Sequence, residues 1–100
     1  MSSEVSTDLG TSVDLDKRRK QLRFRSWHRG TQEADLIIGS FADQHVGEMD
    51  IEELNLFERV LEIPDPVLYD WIIGNSKPTE NMHNKVLDAL LSFKYVPKQR

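Results

Sequence analysis

The sequence predicts an all-α protein, a small bundle of about five short helices behind a flexible N-terminal tail. Three observations carry that expectation. Apolar residues recur at helical spacing through most of the chain after residue 30. No stretch sustains the alternation of a half-buried strand, and no Asn-Gly or Asp-Gly pair marks a hairpin. Helix-capping residues, prolines and glycines punctuate the apolar runs where helices would start and stop.

The elements follow in order. Residues 1–13 are rich in Ser, Thr and acids, cannot bury a core, and are expected to form a disordered acidic tail. Residues 14–96 are expected to form the bundle, and residues 97–100 to fray. The first helix is placed from Leu15 to about His28, with Asp14 as N-cap and Gly30 as the residue just past its end. On a helical wheel Leu15 and Leu22 share one side, and Phe24 and Trp27 another among arginines. Only one of these sides can face the core.

A second helix is expected from about Thr31 to Val46, with Ala34, Ile37, Ile38, Phe41, Ala42 and His45 in register. Gly39 lies inside it and permits either a close helix crossing or a break into two pieces. Asp50 then caps a third helix, with Glu53 three residues on in capping-box spacing. Its core stripe is Ile51, Leu54, Phe57 and Leu61, with Val60 beside it, and Pro64 ends it. A short fourth helix has Asp65 as N-cap, Pro66 at its first position, Val67, Leu68, Trp71, Ile72 and Ile73 as apolar content, and Gly74 past its end. Thr79 is expected to cap a fifth helix reaching about Lys94, with Met82, Val86, Leu87, Leu90 and Leu91 on one face.

Composition narrows the function classes. The 100 residues contain no cysteine, which excludes disulfides, thiolate metal sites and cysteine nucleophiles. No apolar run approaches the roughly 20 residues of a membrane-spanning helix. The N-terminus lacks the basic character of a secretory signal or a transit peptide, so a cytoplasmic location is expected. The three histidines, His28, His45 and His83, form no metal-binding spacing. Neither GxxxxGK[ST] nor GxGxxG occurs, and no nucleophile motif is visible, so no catalytic and no metal-ligating residues are expected.

The net charge of −4 is unevenly spread. Residues 17–29 hold seven Lys or Arg and no acid, whereas residues 30–100 hold six bases and thirteen acids. A basic stripe on an acidic body suits one acidic partner surface. The alternative is a small basic-helix nucleic-acid-binding regulator, with Phe24 and Trp27 stacking on bases, although the acidic remainder would repel a polyanion.

Where the charge changes sign stands "RGTQEAD", residues 29–35. It resembles the R-G-x-x-E signature of the succinate dehydrogenase assembly factor family, which promotes FAD attachment. The lead-in "RRKQLRFRSWHRG" is similar to the family's first helix, "DLIIGSFADQH" to its second, and "LNLFERVLEIPDPVLYDWIIG" to its middle segment. The resemblance covers roughly residues 17–96. It implies a five-helix bundle, in agreement with the helix count, and the absence of a transit-peptide pattern favours a bacterial member over a mitochondrial precursor. It also implies a monomeric, non-enzymatic chaperone that binds the apo flavoprotein subunit of succinate dehydrogenase, with fumarate reductase as a further candidate. That chaperone promotes covalent FAD linkage to a client histidine. FAD then belongs to the client, and the factor binds no cofactor stably and no nucleic acid.

By motif match the client-binding residues are Arg29, Gly30, Glu33 and Asp35, with Arg25, Trp27 and His28 as further candidates. His28 departs from the basic residue, often Arg, of many members. The expected roles are a guanidinium fork offered to the client by Arg29, a tight helix junction at Gly30, and acceptors from Glu33 and Asp35. From position alone, Glu33 reads equally well as a partner of its own helix dipole or cap, and Arg29 as an ion-pair partner of Asp35 or another acid.

Overall fold

The computed structural model describes residues 2–93, and side chains from Asp14 onward. Five α-helices follow one another: α1 (Ser2–Trp27), α2 (Gln32–His45), α3 (Ile51–Leu61), α4 (Asp65–Ile72) and α5 (Lys85–Ser92). Short 3-10 turns lie at Val46–Glu48 and Glu80–Met82, and no strand occurs among the described residues. The all-α expectation therefore holds. The tail expected over residues 1–13 falls where no side chain is described, and the frayed residues 97–100 lie outside the described residues.

The core is built where the apolar stripes converge. Leu22 of α1, Ile38, Phe41 and Ala42 of α2, Leu54, Phe57 and Val60 of α3, Leu68 of α4 and Val86, Leu87 and Leu90 of α5 are all buried in one cluster. Phe41 sits at its centre, with ring centroids 5.7 Å from Phe57 and 5.6 Å from Phe93, both in tilted or edge-on geometry. The wheel ambiguity of α1 resolves towards the leucines. Leu22 is buried and Leu15 packs at the margin, whereas Phe24 faces outward at 64% exposure.

Several boundaries differ from expectation for identifiable reasons. The helical backbone of α1 runs through Asp14, so that residue is not its N-cap, and the helix ends at Trp27. Gly30 is therefore not the residue that terminates α1. It lies in the bend that follows, with φ +132°, a conformation that favours glycine. The helix α2 is continuous through Gly39. A Cβ there would stand 2.2 Å from Trp27 Cδ2, so the glycine opens a slot for the indole and marks a close crossing rather than a break.

The capping box of α3 forms as expected. Asp50 accepts from the Glu53 amide at 2.8 Å, and Glu53 accepts from the Asp50 amide at 3.0 Å. Ile51, expected in the core stripe, is half exposed, and the buried face of α3 begins at Leu54. At α4 the N-cap is Pro64 and Asp65 is the first helical residue, so the helix starts one residue earlier than expected. Its carboxylate does not cap the helix but turns to Arg29. Only Leu68 of α4 is fully buried, and Val67 and the capping Ile73 are nearly half exposed.

The fifth helix begins at Lys85, not at Thr79. Asn84 adopts extended backbone and its side chain accepts from the Leu87 amide at 2.7 Å, so the chain caps there. The Thr79 hydroxyl instead donates to Asn81 Oδ1, leading into the 3-10 turn, and Met82 points outward. The expected end of this helix at Lys94 lies outside the described residues.

Candidate functional site

The candidate site is the corner between α1 and α2, residues 28–35. It is assembled by Arg29, Gly30, Thr31, Glu33 and Asp35, whose roles divide sharply. Thr31 has extended backbone and caps α2, its hydroxyl accepting from the Ala34 amide at 3.3 Å. Asp35, one turn into α2, reaches back over the bend. Its Oδ1 accepts from the Arg29 amide at 2.6 Å and the Gly30 amide at 3.4 Å. Two amides of the bend, which lie outside both helices, are thereby satisfied, and the carboxylate sits near the positive end of α2.

Arg29 is directed into the fold. Its side chain is only 8% exposed. Nε donates to Asp65 Oδ1 at 2.7 Å, one terminal nitrogen donates to the Leu61 carbonyl, and the other to the Ile63 carbonyl at 2.6 Å. One guanidinium thus ties the α1–α2 corner to the end of α3 and the start of α4. The expected fork towards a client is used internally, and the partner is Asp65 rather than Asp35 through an ion pair. Gly30 completes the fit, since a Cβ there would come within 3.1 Å of Asp65 Oδ2.

Glu33 behaves differently. It lies in the first turn of α2, is exposed, and has no hydrogen-bond or ion-pair partner among the described residues. Because Thr31 rather than Gly30 is the N-cap, Glu33 occupies the second helical position and does not cap backbone. The structure therefore separates the motif into an internal brace, Arg29, Gly30 and Asp35, and one outward carboxylate, Glu33.

The further candidates are also sorted by their contacts. Trp27 packs over Gly39 and its Nε1 donates to the Asp43 carboxylate at 3.3 Å, so it holds α1 against α2. His28 is exposed. Its Nδ1 donates to the Phe24 carbonyl at 2.7 Å and its ring stacks on Phe24 with centroids 4.0 Å apart. Arg25 lies 3.7 Å from Glu58 Oε2 and is partly exposed. Trp27, His28, Gly30, Thr31, Gln32 and Asp35 border an open depression of about 520 Å³ on the outer side of the corner.

Asp65 and the carbonyls of Leu61 and Ile63 are the functional partners that sequence reasoning misses. The only available signal is the Pro-Asp-Pro segment itself, where an Asp between two prolines reads first as a helix cap.

Metal and anion chemistry find little support in these residues. No group of three or more potential metal ligands occurs among the described residues. The N-terminus of α2 carries Glu33 and Asp35 in its first turn, which disfavours a phosphate there. The basic stripe is also partly consumed. Arg18 pairs with Glu58, Arg19 with Asp16 and the Met49 carbonyl, and Arg29 with Asp65, which weakens the nucleic-acid alternative. No helix among the described residues is long and apolar enough to cross a membrane.

Comparison with known proteins gives a consistent picture. A family model described as flavinator of succinate dehydrogenase matches residues 20–94. The chain is 45% identical over 73 residues to the FAD assembly factor SdhE of Acetobacter pasteurianus, covering 72% of this chain and 67% of that protein. It is 32% identical over 74 residues to the mitochondrial succinate dehydrogenase assembly factor 2 of Dictyostelium discoideum, covering 74% of this chain and 52% of that protein. It is 29% identical over 68 residues to the FAD assembly factor SdhE of Coxiella burnetii, covering 68% of this chain and 82% of that protein. The chain thus spans about half the length of the mitochondrial relative. No solved structure matches.

Proposed function

Because the chain belongs to the flavinator of succinate dehydrogenase family, we propose that it is an assembly factor that binds the apo flavoprotein subunit of succinate dehydrogenase and promotes covalent attachment of FAD. Fumarate reductase, whose flavoprotein does the same chemistry in reverse, is a further client. The protein acts as a non-catalytic, cytoplasmic monomer in a one-to-one complex, and the FAD stays with the client.

The observation that carries this reading is the exposed, unpartnered Glu33 on a corner whose other charges are consumed internally. A carboxylate held this way offers acceptors to client amides or cations without first breaking contacts of its own. Because Arg29 and Asp35 already fix the backbone around it, little ordering is required when the client arrives. Arg29, Gly30 and Asp35 then serve client binding by positioning, and Glu33 by contact.

The factor works through the client's conformation. It binds more tightly to the arrangement in which FAD and the accepting histidine are close than to the finished flavoprotein, which raises the population of the reactive arrangement and lets the product leave. The residues present support leaving FAD with the client. The described chain has no glycine-rich phosphate cradle, and the one helix start at the corner is acidic.

The test is co-expression of the flavoprotein subunit with and without this chain, followed by denaturing electrophoresis and in-gel flavin fluorescence. Covalent flavin should rise several-fold when the chain is present. Equal covalent flavin in both lanes would contradict the proposal.

A further inference from the structure

The outward side of α1 carries a feature that the corner does not use. Arg18, Lys20, Leu22, Phe24, Arg25 and Glu58 line an open groove of about 660 Å³ between α1 and α3. Its charged groups are three cations and one carboxylate. Glu58 is shared, lying 2.8 Å from Arg18 and 3.7 Å from Arg25, and Lys20 has no acidic partner among the described residues. The groove is therefore a net positive patch on a chain whose remainder is acidic.

Phe24 stands at this groove largely exposed, yet it is not loosely held. The His28 ring stacks against it, and His28 Nδ1 donates to the Phe24 carbonyl. A ring already held in place loses little rotamer freedom on binding. An aromatic side chain flanked by arginine is the residue combination enriched at the energetic centres of protein interfaces. His28 also borders the corner depression with Gly30 and Thr31, so the groove and the corner form one continuous surface.

We infer that this groove is a second docking surface for the flavoprotein client, taking an acidic segment of the flavoprotein that sets an apolar side chain against Phe24. The inference rests on the flavoprotein reading above and adds to it a contact of stated chemistry. The charge complementarity decides the occupant. Lys20 and the two arginines attract an acidic segment, while the acidic body around them repels other approaches. The groove would fix the orientation of the client, and the corner would deliver Glu33 to it.

The test uses the full chain and the purified apo flavoprotein subunit of succinate dehydrogenase, with the dissociation constant measured by calorimetry at low and physiological salt. Phe24→Ala and Lys20→Glu should each weaken binding about tenfold while circular dichroism and melting temperature stay as in the wild type. Lys20→Glu should also flatten the salt dependence. A photo-crosslinker at position 24 should capture a flavoprotein peptide richer in Asp and Glu than in Lys and Arg. Glu33→Ala separates the two readings. If Glu33→Ala weakens binding but Phe24→Ala and Lys20→Glu do not, the groove proposal is wrong and the corner stands. If the wild type does not bind the flavoprotein, both fall. A crosslink from position 24 to a second copy of this chain, or to nucleic acid, would also overturn the groove proposal.

Discussion

Arg29 brings five N–H donors to a site where the fold supplies acceptors for all three of its nitrogens. It is nearly buried, so its removal leaves two carbonyls and a carboxylate without partners. Arg29→Ala should cost about 3 kcal/mol in urea unfolding, the scale of breaking one side of a buried ion pair. Arg29→Lys should recover only part of this, because a single ammonium cannot serve three acceptors spread over two helix ends. Gly30→Ala should cost about 1–3 kcal/mol, since φ +132° is strained for an L side chain and the new Cβ crowds Asp65. Glu33→Ala, by contrast, should stay within about 0.5 kcal/mol of wild type because the side chain is exposed and has no hydrogen-bond or ion-pair partner among the described residues. The motif was legible in the sequence as a group of four residues. Which of them turn inward was not, because the acceptors of Arg29 are a side chain and two backbone carbonyls more than thirty positions away.

At the scale of elements, legibility followed the strength of local signals. The helix α3 has a capping box, an amphipathic stripe and a terminating proline, and its start and stop fall where the sequence places them. The helix α5 was expected to start at Thr79, but it starts behind Asn84, whose side chain reaches the Leu87 amide. Asn84→Ala should therefore cost about 1 kcal/mol of stability in a thermal melt, and Thr79→Ala almost nothing. Gly39 shows the limit of local reasoning. Propensity alone favours Ala by about 1 kcal/mol in a helix interior. Its Cβ would overlap the Trp27 ring at 2.2 Å, so Gly39→Ala should instead destabilise by about 1–3 kcal/mol and shift the tryptophan emission. The α1 wheel left Phe24 and Trp27 paired, whereas in the fold Trp27 packs over Gly39 and bonds Asp43 while Phe24 faces outward.

Across the whole molecule, the bundle joins a basic helix to an acidic body through one braced corner. Arg29 connects α1 to the α3–α4 turn, Asp35 connects α2 to the bend, and Trp27 holds α1 to α2. On the proposed reading, most of the motif builds the corner and Glu33 is the one motif residue that meets the client. Reconstitution measures this most directly. Purified apo flavoprotein and FAD are mixed with wild-type or Glu33→Ala protein, and covalent flavin is followed by in-gel fluorescence beside the melting temperature of each factor. The account predicts that Glu33→Ala melts with the wild type and loses most of the flavinylation it promotes. Full flavinylation by Glu33→Ala, or loss of flavinylation only together with loss of folding, would contradict it.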